Sequence, residues 1–162
     1  MKEQSLDIKY TKTDFLNLSS DEKKLITSAK EKANCAYAPY SGLLVGASVL
    51  MQNGEIISAN NQENIAYPSG LCAERVALFY AVSQFPENGI ETIAITANSS
   101  SFKMTSIISP CGACRQVMSE YEKKQGRVIR LLLHHVDDSV LIVNSVTDLL
   151  PFLFMDSSLK RC

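Results

Sequence analysis

The chain has 162 residues, 46% of them apolar and 20% charged, with a formal net charge of −1. That is enough for one domain with a sizeable core, and the charge balance speaks against a protein built to hold a nucleic-acid backbone, which shows a basic surplus or stripe. Met1-Lys2-Glu3-Gln4-Ser5-Leu6-Asp7 lacks the apolar centre of a signal peptide and no apolar run approaches the roughly 20 residues of a membrane span, so a soluble cytoplasmic protein is expected.

Residues 1–18 read as an arm in which Leu6, Ile8 and Tyr10 alternate with polar residues, as in a short strand; residues 19–162 read as one domain. Ser19-Ser20-Asp21-Glu22 has the form of a capping box, with Ser19 as the cap and Glu22 at the third helical position. Leu25, Ile26, Ala29 and Ala33 then fall at helical spacing. Pro39 and Gly42 mark a loop. Residues 43–51 read as a strand, Asn53-Gly54 as a hairpin turn and residues 55–59 as the returning strand. A polar loop over residues 60–70 leads to a helix over 72–83, then a strand over 91–97. A Ser-rich loop over 99–109 precedes a helix over 111–123. Lys123-Lys124-Gln125-Gly126-Arg127 reads as that helix's solvated end, where cations favour the dipole. Strands over 127–134 and 139–146 follow, and Thr147-Asp148 is placed to cap a last helix running through Phe152.

Strands interleaved with helices predict an α/β fold with a sheet covered on both faces. The expected architecture is a three-layer α/β/α sandwich around a mixed five-stranded sheet. Only His135-Val136-Asp137-Asp138 joins the last two strands, too short for a parallel crossover, so that pair should be antiparallel.

Five cysteines in a reducing compartment are not a disulfide scaffold. Cys111 and Cys114, in Pro110-Cys111-Gly112-Ala113-Cys114, stand at a helix start. Such a pair alone fits a redox site, half of a metal site, or two small buried residues. Cys72 opens the other central helix. Helix N-termini favour thiolates, and two of them facing each other can hold three thiolates around one zinc ion. Zinc prefers four ligands, so three leave a position for water, the pattern of a catalytic site. Glu74 is two residues past Cys72 and shares no helix face with it, so it is a poor ligand but can project into the mouth of the site and shuttle protons. Its alternative is an acidic residue favouring the helix dipole. Arg75 is a helix neighbour of Cys72 and can offset the −1 charge of zinc with three thiolates, unless it forms a surface ion pair. Gln116 is placed, more weakly, for the same task. The adjacent His134 and His135 point to opposite faces of a strand and make a poor shared metal site. Cys35 reads as a core residue at a helix end and Cys162 as an uninvolved tail thiol.

Together these residues resemble the cytidine deaminase family. Cys72-Ala73-Glu74 followed by Pro110-Cys111-Gly112-Ala113-Cys114 matches the zinc-deaminase signature. Ala36-Tyr37-Ala38-Pro39-Tyr40-Ser41, Val45-Gly46-Ala47, Asn61-Gln62-Glu63-Asn64, the run from Tyr67 to Arg75, and Cys114-Arg115-Gln116 resemble its nucleoside-acting branch. The resemblance covers roughly residues 20–155. It implies one zinc per chain on Cys72, Cys111 and Cys114, with Glu74 moving protons between a zinc-activated water, N3 of the pyrimidine and the leaving amine. It further implies that Asn61 and Glu63 hold the ribose and that the Ala73 backbone meets the base carbonyl. Tyr67 would reach the 5′ side of a nucleoside in a neighbouring subunit. Phe154 would cover the base from another subunit, with a buried core residue as its competing reading. The implied assembly is a homotetramer with shared sites. The implied activity is deamination of cytidine and 2′-deoxycytidine in pyrimidine salvage, with no nucleic-acid or membrane partner.

Leu43, Ile65 and Phe152 depart from the residues common in the family and bear on the pocket walls. Polynucleotide-acting relatives insert a helix between the last two strands, which the short connection here disfavours. A nucleotide would need a cation that residues 61–70 do not offer. An antibiotic substrate of the blasticidin type stays open. A structural zinc module would need a fourth ligand, and a redox protein would leave Cys72 and Glu74 without a role.

Overall fold

The computed structural model describes residues 2–99 and 101–159; Cys162 lies outside them. In chain order the elements are β1 (Tyr10–Asp14), α1 (Ser20–Ala33), β2 (Leu43–Met51), β3 (Ile56–Asn60), α2 (Ala73–Gln84), β4 (Ile90–Ser99), α3 (Gly112–Gln125), β5 (Arg130–His134) and β6 (Ser139–Val143). The strands form one sheet in the order β1-β6-β5-β4-β2-β3. Among the described strands only β4 and β5 pair in parallel; the β5/β6 pair is antiparallel, as its short connection requires.

The sheet has six strands, not the five expected, and the sixth comes from the arm. Tyr10–Asp14 pairs with β6 from Tyr10↔Val143 to Asp14↔Ser139. Leu6 and Ile8, whose alternation suggested the strand, lie exposed before it. The strand itself is Tyr-Thr-Lys-Thr-Asp and almost wholly exposed. Backbone pairing along the free edge of β6 places it, and that leaves no apolar alternation to read.

Alternation along the central strands separates two apolar layers. Ala94 of β4 and Leu132 of β5 pack with Leu18, Leu25 and Ile26 on the α1 face. Ile93, Ile95, Leu131 and Leu133 pack with Ala77 and Leu78 of α2 and Met118 of α3 on the other. α1 begins with the expected capping box: Glu22 N–H donates to Ser19 Oγ at 3.3 Å, and Ser19 N–H donates to Glu22 Oε2 at 3.0 Å. Gly46 of β2 lies directly beneath α1. A Cβ there would overlap the Ala29 carbonyl oxygen and stand 2.7 Å from Ala33 N. Both are backbone atoms of the helix, so Gly46→Ala is expected to lower stability by about 2–3 kcal/mol, as overpacking does. Urea unfolding checks this; an unchanged midpoint would mean that α1 slides outward freely.

Three local expectations are corrected. β5 starts at Arg130 rather than 127, because Gly126 ends α3 in the left-handed conformation (φ 66°) and the chain must turn before pairing. The last helix is only a 3-10 turn over Val146–Leu149. Pro151 disfavours a helical Leu150, and Phe152 is left-handed at φ 59°. Cys35 is exposed, not core, because it follows the last buried α1 residue, Ala33, by two positions and has left the packed face.

His134 hydrogen-bonds Thr96 Oγ1 at 2.9 Å and Asp138 Oδ1 at 3.1 Å, while His135 Nδ1 lies 2.9 Å from Asp137. Each ring has its own partners, and neither joins a metal-ligand group among the described residues.

Candidate metal centre and active site

Cys72 and Cys111 are the N-cap residues of α2 and α3, and neither side chain caps its helix. Both sulfurs are thus free to turn toward each other. Cys114, one turn into α3, is fully buried. The Cys72 and Cys111 sulfurs are 3.8 Å apart, those of Cys111 and Cys114 3.5 Å, and all three lie within 4.8 Å of one another. Ligands about 2.3 Å from a tetrahedral zinc stand about 3.8 Å from each other. The spacing therefore fits one zinc ion, and the sulfur donor set suits it. This is the only such group among the described residues.

The electrostatics agree. Hydrogen bonding from Cys114, helped by the Arg75 guanidinium, lowers the Cys72 thiol to about 5. The same bond and burial push Cys114 up. Adjacent thiols cannot all ionise without a cation among them, and a divalent ion removes that conflict. Arg75 Nη2 is 3.9 Å from Cys72 Sγ, the sulfur-facing position expected of it.

Glu74 is 4% exposed and lines a cavity of about 640 Å³ beside Cys72 and Cys111. Burial first, then the charge of Cys72, raises its carboxyl above the ordinary value. It stands beside the sulfurs without joining their cluster. The cavity volume is in the range of small-molecule sites, and Leu43, Val45, Ile95 and Ile108 supply apolar wall.

Residues 19–129 match the cytidine and deoxycytidylate deaminase zinc-binding region. The chain belongs to this deaminase family. It is similar to the cytidine deaminase of Sporosarcina psychrophila, 42% identical over 101 residues, which span 62% of this chain and 70% of the relative. It is also similar to a probable cytidine deaminase of Dictyostelium discoideum, 32% identical over 136 residues and covering 84% of this chain and 85% of the relative. Its fold matches the crystal structure of cytidine deaminase from Burkholderia pseudomallei, with TM-score 0.72 and 37% identity over 82% of this chain and 98% of that one. As a deaminase it is a hydrolase of a C–N bond, and its family domain is zinc-binding.

The other residues singled out in this deaminase are placed as follows. Ala73 opens α2 and is fully buried. Asn61 lines the cavity and accepts a hydrogen bond from Val45 N–H at 2.8 Å while donating to Leu43 O at 2.9 Å. One amide hydrogen remains free of these bonds. Glu63 also lines the cavity. Ser41 Oγ (2.5 Å), Tyr40 N–H (2.8 Å) and Ser41 N–H (3.3 Å) donate to its carboxylate, and these bonds hold it below the ordinary carboxylate range. Tyr67 sits in a 3-10 turn at the cavity rim, 76% exposed and edge-on to Tyr40. Phe154 is also 76% exposed and outside this cavity's lining, which removes the buried-core reading. Gln116 is engaged away from the sulfurs, with the Phe154 backbone, at 2.8 Å to its oxygen and 3.2 Å to its nitrogen.

Residue-by-residue reading missed two supports. Ser41 anchors Glu63 across 22 positions. Arg115 donates to Pro110 O and Leu149 O. The Ser41–Glu63 and Arg115–Leu149 bonds act over 22 and 34 positions, for which residue type and spacing carry no local signal.

Proposed function

We propose that the chain hydrolyses the exocyclic amine of cytidine and 2′-deoxycytidine, giving uridine or 2′-deoxyuridine and ammonia, as a step of pyrimidine salvage. The observation that carries this reading is a buried carboxyl beside three sulfurs at zinc-ligand spacing, at the floor of a cavity sized for a nucleoside. Cys72, Cys111 and Cys114 hold the zinc, which when bound supplies Lewis acidity that lowers the pKa of a water from 15.7 to about 7. Glu74 takes a proton from the attacking water and places it on N3, which makes C4 electrophilic. After addition at C4, Glu74 takes the remaining proton from the added hydroxyl and delivers it to the amine, so that the C4–N bond breaks, ammonia leaves and C4 becomes a carbonyl. Arg75 balances the sulfur charge.

Asn61 and Glu63 hold the ribose, and the Ala73 backbone meets the base carbonyl. Glu63 accepts from a ribose hydroxyl as well as anchoring the Tyr40–Ser41 turn. Glu63→Gln is expected to raise KM for cytidine about tenfold, in keeping with one charge-assisted hydrogen bond, with kcat within a few-fold. A fall confined to kcat would move Glu63 out of substrate binding.

Of the described lining residues only Arg75 is cationic, and it faces sulfur, so a 5′-phosphate would meet no other cationic side chain among them. A nucleoside therefore fits better than a nucleotide or polynucleotide. Tyr67, Phe79, Tyr80 and Phe154 are large and exposed, which suits a homotetramer in which Tyr67 and Phe154 serve neighbouring sites. Thiols that must stay reduced suit the cytoplasm. Among the described residues no helix is long and apolar enough to cross a membrane.

The test is ultraviolet assay of the purified, reduced protein with cytidine, 2′-deoxycytidine, dCMP, a cytosine-containing oligonucleotide and blasticidin S, with metal analysis and light scattering of the same sample. Turnover of the two nucleosides with about one zinc per chain supports the reading. A preference for dCMP, the oligonucleotide or blasticidin S would replace the substrate, and turnover without zinc would overturn the mechanism.

A further inference from the structure

The first turn of α3 does more than present sulfurs. Arg115 and Gln116 follow Cys114 directly, and their side chains reach backward and outward from that turn. Arg115 donates from Nε to Pro110 O at 2.8 Å and from Nη1 to Leu149 O at 2.9 Å. Gln116 Nε2 donates to Phe154 O at 2.8 Å, and Gln116 Oε1 accepts from Phe154 N–H at 3.2 Å. One side chain thus ties the residue preceding Cys111 to the end of the 3-10 turn. The other brackets one backbone unit further along.

What these bonds hold has little else to hold it. Residues 150–156 contain no buried side chain. Phe152 is 96% exposed and Phe154 76%. Burial of apolar area normally fixes a terminal segment, and here that contribution is small. The placement of the segment falls largely on Arg115 and Gln116, whose backbones are set by the turn that carries Cys111 and Cys114.

We propose that Arg115 and Gln116 are positioning residues that couple the metal site to residues 149–154: a filled metal site orders that segment, and an undocked segment weakens the metal site. Ligation by Cys111 and Cys114 pins the Pro110–Cys114 turn and aims both side chains at their carbonyl partners. A loose turn releases them. Coupling of this kind is reciprocal by thermodynamic necessity. It rests on the zinc reading of the three thiols, and it makes zinc loading a condition for presenting Phe154 outward.

Hydrogen-exchange mass spectrometry on the full-length protein tests this, with and without chelation, for the wild type, Gln116→Ala and Arg115→Lys. Zinc affinity is measured in parallel by competition with a chromogenic chelator, and α1 serves as the internal control. Chelation is expected to speed wild-type exchange across residues 150–156 tenfold or more while α1 stays protected. Zinc-loaded Gln116→Ala should already exchange fast there, and chelation should add little. Zinc should bind a few-fold more weakly to Gln116→Ala and about tenfold more weakly to Arg115→Lys. Wild-type protection over 150–156 in zinc-loaded Gln116→Ala overturns the coupling. So does wild-type exchange that ignores chelation while α1 stays protected. If chelation unfolds the whole chain, α1 loses protection too, and the zinc-loaded variants decide: wild-type zinc affinity in both overturns the proposal. A fresh wild type without zinc overturns the metal reading itself and the coupling with it, whereas failure of the coupling alone leaves zinc bound.

Discussion

Glu74→Ala is expected to lower kcat for cytidine by about 10³–10⁴-fold while zinc stays bound at the wild-type level. General acid–base catalysis by one side chain contributes up to about 10⁴-fold, and in the proposed reaction the same carboxyl would serve both N3 and the leaving amine. Zinc retention follows from geometry, because the cluster of liganding atoms comprises Cys72, Cys111 and Cys114 without Glu74. The carboxyl is 4% exposed, so truncation also opens a small hole at the cavity floor. Glu74→Gln fills that hole and should be as inactive, since an amide carries no transferable proton at neutral pH. Steady-state rates and metal analysis of the same preparations check both. Loss of zinc from either variant would recast Glu74 as a ligand, and near-normal rates would remove it from the chemistry.

Cys114→Ser should lose both zinc and activity. Its sulfur is 3.5 Å from that of Cys111 and fully buried, so no exposed group can swing in to replace it. A protein site binds zinc with roughly 10–16 kcal/mol in total. Removal of one of three thiolates should weaken binding by on the order of 10²–10³-fold or more. Because ligand binding to the folded state stabilises it by mass action, the wild type should melt higher with zinc than after chelation. Cys114→Ser should show a much smaller gap, in line with its weaker binding. Calorimetry with and without zinc reads this directly. A variant with full zinc and a wild-type melting temperature would mean that the sulfurs are not the ligands. Exposed Cys35 is the matching control, and Cys35→Ser should leave zinc and rate unchanged.

The secondary structure is legible where local chemistry decides it. The Ser19/Glu22 box starts α1, Asn53-Gly54 turns β2 into β3, and Gly126 ends α3. The 52–55 turn uses a left-handed Gly54 (φ 86°) and an Asn53 side chain that accepts from Glu55 N–H, interactions within four residues. Where the sequence misleads, a distant partner decides. Leu6 and Ile8 alternate like a strand, yet the free edge of β6 selects Tyr10–Asp14. Thr147-Asp148 offers a helix cap, and there the deciding feature is local: Pro151 follows within four residues and the turn ends at Leu149.

The same division runs through the site. The placement of Cys72, Cys111 and Cys114 at two helix starts pointed to a three-thiolate zinc site with Glu74 near its mouth, because ligand type and helix position are local properties, while the proton-shuttling role of Glu74 was implied by the family resemblance rather than by spacing. Only the tertiary structure decided that the three sulfurs meet, since α2 and α3 come together on one face of the sheet. It also decided the engagements of Glu63 with Ser41, of Asn61 with β2, of Gln116 with Phe154, and the exposure of Phe154. Each of these depends on which atom of a distant residue comes within about 3 Å, and neither residue type nor spacing along the chain encodes that.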